Sequence, residues 1–267
     1  MIKKISLVVI SGLLMLPLIS GCKNKTEKKE EAAVDTEVKM ETEAPVNSLT
    51  QAEKDDGWVM LFDGKTSEGW RGYKKDNFPD GWQIVDGSLQ CVGSGRGEAG
   101  SKDGGDIIYD KEYQNFNLSL EWKISEGGNS GIFYLGQEEL DFIWKTAPEM
   151  QVLDNDNHPD AKLGVDGNRM SGSLYDLIPA KPQNAKPVGE WNKVELIVYK
   201  GTVVHKMNGE NVVEYHLWTP EWNEMVEASK FPELNPEWYD VASKGYIGLQ
   251  DHGDDVWFRN IKIKELK

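Results

Sequence analysis

The sequence predicts an all-β fold, an antiparallel β-sandwich. Three observations predict it. Short apolar segments recur from residue 58 to residue 264, and several alternate strictly between apolar and polar side chains. Two-residue signals join neighbouring segments, as at Asp86-Gly87 and Asn208-Gly209. Helical character is confined to one connection, residues 221–229, inside a Trp-rich loop that carries Trp218, Trp222 and Trp238.

The chain has 267 residues, 39% hydrophobic and 28% charged, enough for one large domain or two small ones. Its net charge of −15 argues against nucleic acid or an anionic membrane surface as partner. Neutral sugars are not excluded by charge.

Residues 1–22 read as a bacterial lipoprotein signal peptide. Lys3-Lys4 precede an apolar run, and Ile19-Ser20-Gly21-Cys22 closes it. The resemblance implies cleavage before Cys22 and lipid on its thiol; an ordinary signal peptide with an incidental Cys22 is the alternative. The expected location is therefore the cell envelope, with membrane contact through the lipid anchor. Residues 23–54 carry many Lys, Glu, Thr and Ala but few large apolar groups, and read as a disordered tether. The folded domain is expected over 55–267. Cys91, in an apolar strand pattern, reads as a small buried hydrophobe.

In chain order, 58–62 is a short apolar strand ending at the Asp63-Gly64 turn. Residues 82–85 and 88–92 form a hairpin around Asp86-Gly87. The Gly- and Ser-rich stretch 93–105 lacks the spacing of a phosphate cradle and reads as a plain loop. Along 117–124, Leu118, Leu120, Trp122 and Ile124 share one face. Gly127-Gly128 turns the chain into a strand at 130–135. Strands at 193–199, 203–207 and 211–215 follow, then two closing strands at 245–250 and 256–264.

The most informative stretch is 149–158. Strand parity puts Glu149 and Gln151 on one face and Met150 and Val152 on the other. The strand then empties into an Asp- and Asn-rich loop ending at His158, which also reads as an ordinary Asx-rich turn. In 246–252, Tyr246, Gly248, Gln250 and His252 oppose Ile247 and Leu249. Ser171, Ser173 and Tyr175 likewise share a face. A polar, aromatic outer sheet face suits carbohydrate: rings stack on sugars while amides and acids bind hydroxyls. His205 lies mid-strand with Val203 and Met207, where a core role competes with a functional one. Asp154, Asp156 and His158 offer ligands for a hard cation, though spacing alone is weak. A serine-hydrolase Gly-x-Ser-x-Gly is absent, and facing carboxylates of an ordinary glycosidase are not evident.

Asn129-Ser-Gly-Ile-Phe, Glu149-Met-Gln-Val-Leu-Asp154, Gly189-Glu-Trp-Asn192, Asn208-Gly209, residues 245–253 and Phe258-Arg-Asn-Ile261 together resemble the 3-keto-disaccharide hydrolase family. The resemblance runs from about residue 57 to the end of the chain. It implies a concanavalin/LamG-like jelly roll acting on glycosides whose C3 hydroxyl is already a ketone. Such a ketone acidifies the C2 hydrogen, so a base can start β-elimination of the C1 substituent, and water addition completes a net hydrolysis. On this analogy His252 or Glu149 is the base. Tyr175 or His205 protonates the leaving oxygen. Either a divalent metal at Asp154 and His158, or the amides of Gln151 and Gln250, polarises the ketone. Arg259 is expected to orient Glu149 or to form an ordinary surface ion pair, and Tyr134 joins Gln151, Gln250 and Arg259 as substrate-binding. The competing readings are a non-catalytic glycan-binding module, served by the Trp-rich loop, and a conventional glycosidase or glucanase.

Overall fold

The computed structural model describes residues 44–97 and 100–267. The signal segment, Cys22 and the linker up to residue 43 lie outside the described residues.

Alternating sequence becomes two facing antiparallel sheets, the expected jelly-roll sandwich. The larger sheet contains β1 (Trp58–Met60), β3 (Trp82–Val85), β4 (Ser88–Cys91), β6 (Phe116–Ile124), β9 (Asn192–Tyr199), β10 (Thr202–Met207), β11 (Glu210–His216) and β13 (Val256–Glu265). Its order is β11-β10-β9-β6-β13-β4-β3, with β1 on the far half of β13. The smaller sheet contains β2 (Trp70–Gly72), β5 (Ile107–Tyr113), β7 (Asn129–Gly136), β8 (Glu149–Leu153) and β12 (Gly245–Leu249). Its order is β2-β5-β12-β7-β8.

The inner faces bury the residues that parity assigns to them. Leu118, Leu120, Trp122 and Ile124 of β6 meet Ile132, Met150, Val152, Ile247 and Leu249 in one apolar cluster. Removing a buried leucine such as Leu120 from a core of this kind costs about 2–5 kcal/mol. β10 also faces inward through His205, which has no exposed surface.

The tether reaches less far than composition predicts. Residues 44–54 belong to the folded body: Asn47 and Asn260 exchange hydrogen bonds of 2.6 and 2.8 Å, and Asn47 Nδ2 donates to the Gly87 carbonyl. Helix α1 (Gln51–Asp55) begins in a Thr50/Glu53 capping box, and Glu53 pairs with Lys262 of β13. Specific polar contacts order a segment with little apolar surface.

The Trp-rich insert contains α2 (Pro220–Glu227) and α3 (Phe231–Leu234). Thr219 caps α2 and Pro220 starts it. Trp222 stacks on Tyr215 at 5.3 Å and on Trp238 at 5.7 Å, and Phe231 covers Trp238 at 4.0 Å. Trp222 and Trp238 are buried, so they anchor the insert to the sandwich and are not a sugar-stacking surface.

Candidate active site

The outer face of the smaller sheet carries the polar side chains. Glu149 and Gln151 on β8 pair with Phe133 and Gly131 on β7. Because Gly131 has no side chain, the Glu149 carboxyl folds down over it: a β-carbon there would stand 2.0 Å from Oε1. With its amide nitrogen toward Glu149, Gln151 donates 3.0 Å bonds to Glu149 Oε1 and to the Ser130 carbonyl. The Gln250 backbone N–H donates to the Gly131 carbonyl at 2.9 Å, which brings Gln250 beside the same glycine. Its side-chain Oε1 is buried with no partner.

This face is roofed, not open to water. Glu149 is 7% exposed and Gln151 1%. Burial pushes the Glu149 carboxyl up to about 8, aided by the charges of Asp106 and Asp160 and opposed by Lys230. Asp106 precedes β5 and is half-buried. Burial and the Asp251 carboxylate raise it to about 7, against an N–H donated by Asp251 and the charge of Lys75. Two carboxyls that hold protons near neutrality therefore act on one another along this face.

Beside β8, residues 171–175 extend the sheet: the Tyr175 N–H donates to the Glu149 carbonyl and Gln151 N–H to the Ser173 carbonyl, both 3.0 Å. Tyr175 Oη donates to Asp160 Oδ2 and accepts from Lys230 Nζ, each at 3.1 Å. Lys230 also stands 4.3 Å over the Tyr175 ring. Arg169 bridges Asp160 and Asp176, holding the cluster in place. Burial raises the Tyr175 phenol far above its ordinary value, so it stays protonated. Ser171 and Ser173 do not join it; their hydroxyls bond the backbone of Leu153 and Ala180.

The loops at the ends of β8 and β12 bring His158 and His252 together, ring centroids 6.1 Å apart. His158 Nδ1 accepts the Asp160 N–H at 3.2 Å and caps the 3-10 turn Pro159–Lys162. Asp254 Oδ2 lies 3.9 Å from His252 Nδ1 and accepts the Asn129 N–H.

Five expectations are corrected. Gln151, enclosed and with its amide N–H groups spent on Glu149 and the Ser130 carbonyl, holds Glu149 and does not bind substrate. Asp154 is not free to hold a metal: its carboxylate accepts from the backbone of Gly127, Asp156 and Asn157 and from the Asn157 amide, latching the loop. Burial raises its pKa, but these donors outweigh that and hold it below the ordinary value. His205 cannot reach a substrate. Its Nδ1–H donates to the Gly172 carbonyl at 3.0 Å, and its Nε2 accepts from Tyr134 Oη at 2.9 Å. Burial drops its pKa to about 4, which keeps it neutral. Tyr134 is equally enclosed, bonded to Tyr215 at 2.7 Å, so it does not bind substrate. Arg259 lies on the outer face of the other sheet, paired with Glu121 at 2.7 Å and stacked on Trp191 at 4.0 Å. It does not orient Glu149.

Residues 57–264 match the family described as a 3-keto-alpha-glucoside-1,2-lyase-like domain. The chain belongs to the 3-keto-disaccharide hydrolase family.

A curated member from Bacteroides thetaiotaomicron, named 3-keto-disaccharide hydrolase, is 52% identical over 265 residues, covering 92% of this chain and 91% of that one. A crystal structure from Parabacteroides distasonis, described as a candidate glycosyl hydrolase, superposes with a TM-score of 0.73 at 31% identity, covering 84% of this chain and all of that one. A second from the same organism gives 0.59 at 29% identity, covering 78% of this chain and 99% of that one. The family assignment agrees with the sequence resemblance.

Proposed function

We propose that this family member cleaves the glycosidic bond of 3-keto-glycosides by elimination followed by hydration, with Glu149 as the base. The observation that carries the reading is the Glu149 carboxyl, buried on its seat over Gly131 and raised to about 8 within the field of the Lys230 ammonium. A base of that basicity suits a weakly acidic C–H, and such matching is how enzymes run proton transfer near neutral pH.

The Glu149 carboxylate takes the C2 proton of the sugar. The electron pair moves toward the C3 ketone, where the Lys230 ammonium, held by the Tyr175 oxygen, offers positive charge and a hydrogen bond. The pair then returns to form the C1–C2 double bond as the C1–O bond breaks. The reactive form is the less populated one, with Glu149 ionised and the proton on Asp106, which is raised to about 7; from it Asp106 gives its proton to the departing oxygen. Water adds to C1 of the enone, Glu149, its proton exchanged with solvent once the aglycone has left, protonates C2, and the water's second proton restores Asp106. The sum is hydrolysis, with no oxidant consumed. Gln151 holds Glu149 in position, and Gln250 supplies an unused acceptor for a sugar hydroxyl.

Glu149 is favoured over His252 as base because it is the more deeply buried of the two and feels the charge of Lys230. The test compares aglycone release from a 3-keto-glucoside and from its unoxidised parent. Release from the ketone alone, lost in Glu149→Gln, supports the reading; equal release from both substrates contradicts it. A glycan-binding module would release nothing from either.

A further inference from the structure

The loop after β12 and the loop after β8 build a second arrangement that the elimination chemistry does not use. His158, His252 and Asp254 each offer a ligand atom, and the three atoms lie within 4.8 Å of one another. We propose that these residues bind one first-row divalent cation of the zinc, manganese or cobalt kind.

Four observations carry the proposal. First, the separations are near those of a metal site: tetrahedral ligands at about 2.0–2.1 Å from zinc stand about 3.3 Å apart, a contraction that small side-chain rotations supply. Second, His252 Nδ1 is buried without a hydrogen-bond partner. It faces the Asp254 carboxylate at 3.9 Å, too far for a hydrogen bond. A cation between them would satisfy both groups, and an orphaned buried atom otherwise costs about 1–3 kcal/mol.

Third, the loop that presents His252 and Asp254 is already fixed. The Asp251 carboxylate accepts the Gly253 N–H at 2.9 Å. Gly253 packs so closely on Gly97 that a β-carbon would stand 2.7 Å from the Gly97 carbonyl oxygen. The Asn129 N–H orients the Asp254 carboxylate from the outer shell. Fourth, the donor set discriminates. Two imidazoles and one carboxylate suit first-row transition metals or zinc, whereas calcium and magnesium prefer oxygen shells. Three protein ligands also leave coordination positions open.

One contact must change. A neutral imidazole has one N–H and one lone pair. His158 now uses the Nδ1 lone pair to accept the Asp160 N–H. Ligation through Nε2 moves the ring proton to Nδ1 and releases that N–H. Metal loading therefore loosens the cap of the 3-10 turn, which gives a readout independent of catalysis.

The test uses metal-stripped full-length protein without substrate. Titration with Zn²⁺, Co²⁺, Mn²⁺, Ca²⁺ and Mg²⁺ by calorimetry is expected to show one equivalent of a transition cation bound, with Ca²⁺ and Mg²⁺ at least tenfold weaker. Hydrogen exchange at the Asp160 amide should speed up on loading. Asp254→Asn keeps an oxygen for the Asn129 N–H, and His252→Gln keeps a polar side chain; in either, affinity should fall at least tenfold while circular dichroism stays native. No binding by the folded wild-type protein, or binding that both substitutions leave intact, overturns the proposal. Since no turnover is read, this result stands apart from the role of Glu149.

Discussion

The Glu149 carboxyl rests on the backbone of Gly131, with Oε1 only 2.0 Å from where a β-carbon on that glycine would stand. The glycine sits in the middle of β7 in extended backbone, where an alanine is conformationally acceptable. Its lack of a side chain therefore matters for space. Gly131→Ala should push the carboxyl off its seat and lower kcat by about 10²-fold, the scale of a misplaced catalytic group. Overpacking should cost about 1–3 kcal/mol of stability. Steady-state kinetics with a denaturant titration check both numbers; full activity would show that the seating is incidental.

Glu149 also leaves a signature in stability. Its folded pKa is about 8 against an ordinary 4.5, so the folded state binds more protons between those values. Unfolding free energy should then be full below about pH 4.5 and fall as pH rises toward 8, by at most a few kcal/mol at about 1.4 kcal/mol per unit. Glu149→Gln should flatten that window and be more stable than wild type above pH 8. Denaturant midpoints at pH 5, 7 and 9 measure it.

Asp106 acts on Glu149 through charge, and in the proposed mechanism it also protonates the leaving group. Asp106→Asn removes a negative neighbour, so the Glu149 limb of the pH–rate profile should move to lower pH. Loss of the acid should slow release of a poor leaving group by about 10²-fold or more. Release of a nitrophenol, which needs little protonation, should be nearly spared. Rates on paired alkyl and nitrophenyl 3-keto-glucosides give the answer.

Lys230 reaches the site from the connection between α2 and α3. Lys230→Met removes the ammonium that donates to Tyr175 and whose charge acts on Glu149. Losing one donor to a developing oxyanion costs about 10²–10³ in kcat. The substitution should also raise the Glu149 pKa further, since the ammonium holds it down. A pH–rate profile separates these effects.

His205 should behave as a core residue. Its pKa of about 4 against an ordinary 6.5 means that the unfolded chain binds the extra proton first as pH falls. Its contribution is intact above about 6.5 and lost as pH drops toward 4. His205→Ala leaves the Gly172 carbonyl and one proton of the Tyr134–Tyr215 hydroxyl pair without a partner, at about 1–3 kcal/mol each. Activity of the folded variant should change little, which a catalytic acid would not allow.

Much of the fold was legible because period-two alternation reports burial directly, as in β6 and β12. β5 was not, since Asp110, Lys111 and Glu112 interrupt its apolar pattern where the strand meets solvent. β2 is only three residues long. Parity puts Glu149, Gln151 and Gln250 on one polar face but cannot tell one sheet's outer face from the other's; for Arg259 the structure selects the surface ion pair, with Glu121, over a contact to Glu149. Asp106 and Lys230 carried no local signal: one ends a glycine-rich loop and the other joins two short helices. Only tertiary packing brings them to Glu149. His205 shares its strand face with Val203 and Met207, and that pattern already held the core reading the structure confirms.

The most direct measurement is turnover of a 3-keto-glucoside carrying deuterium at C2. If Glu149 removes that hydrogen, wild-type protein should cleave the labelled substrate several-fold more slowly, and the product should exchange the label with solvent. Glu149→Gln should do neither at a measurable rate. Unslowed cleavage with deuterium fully retained at C2 would contradict the account, because the bond would then break without proton removal.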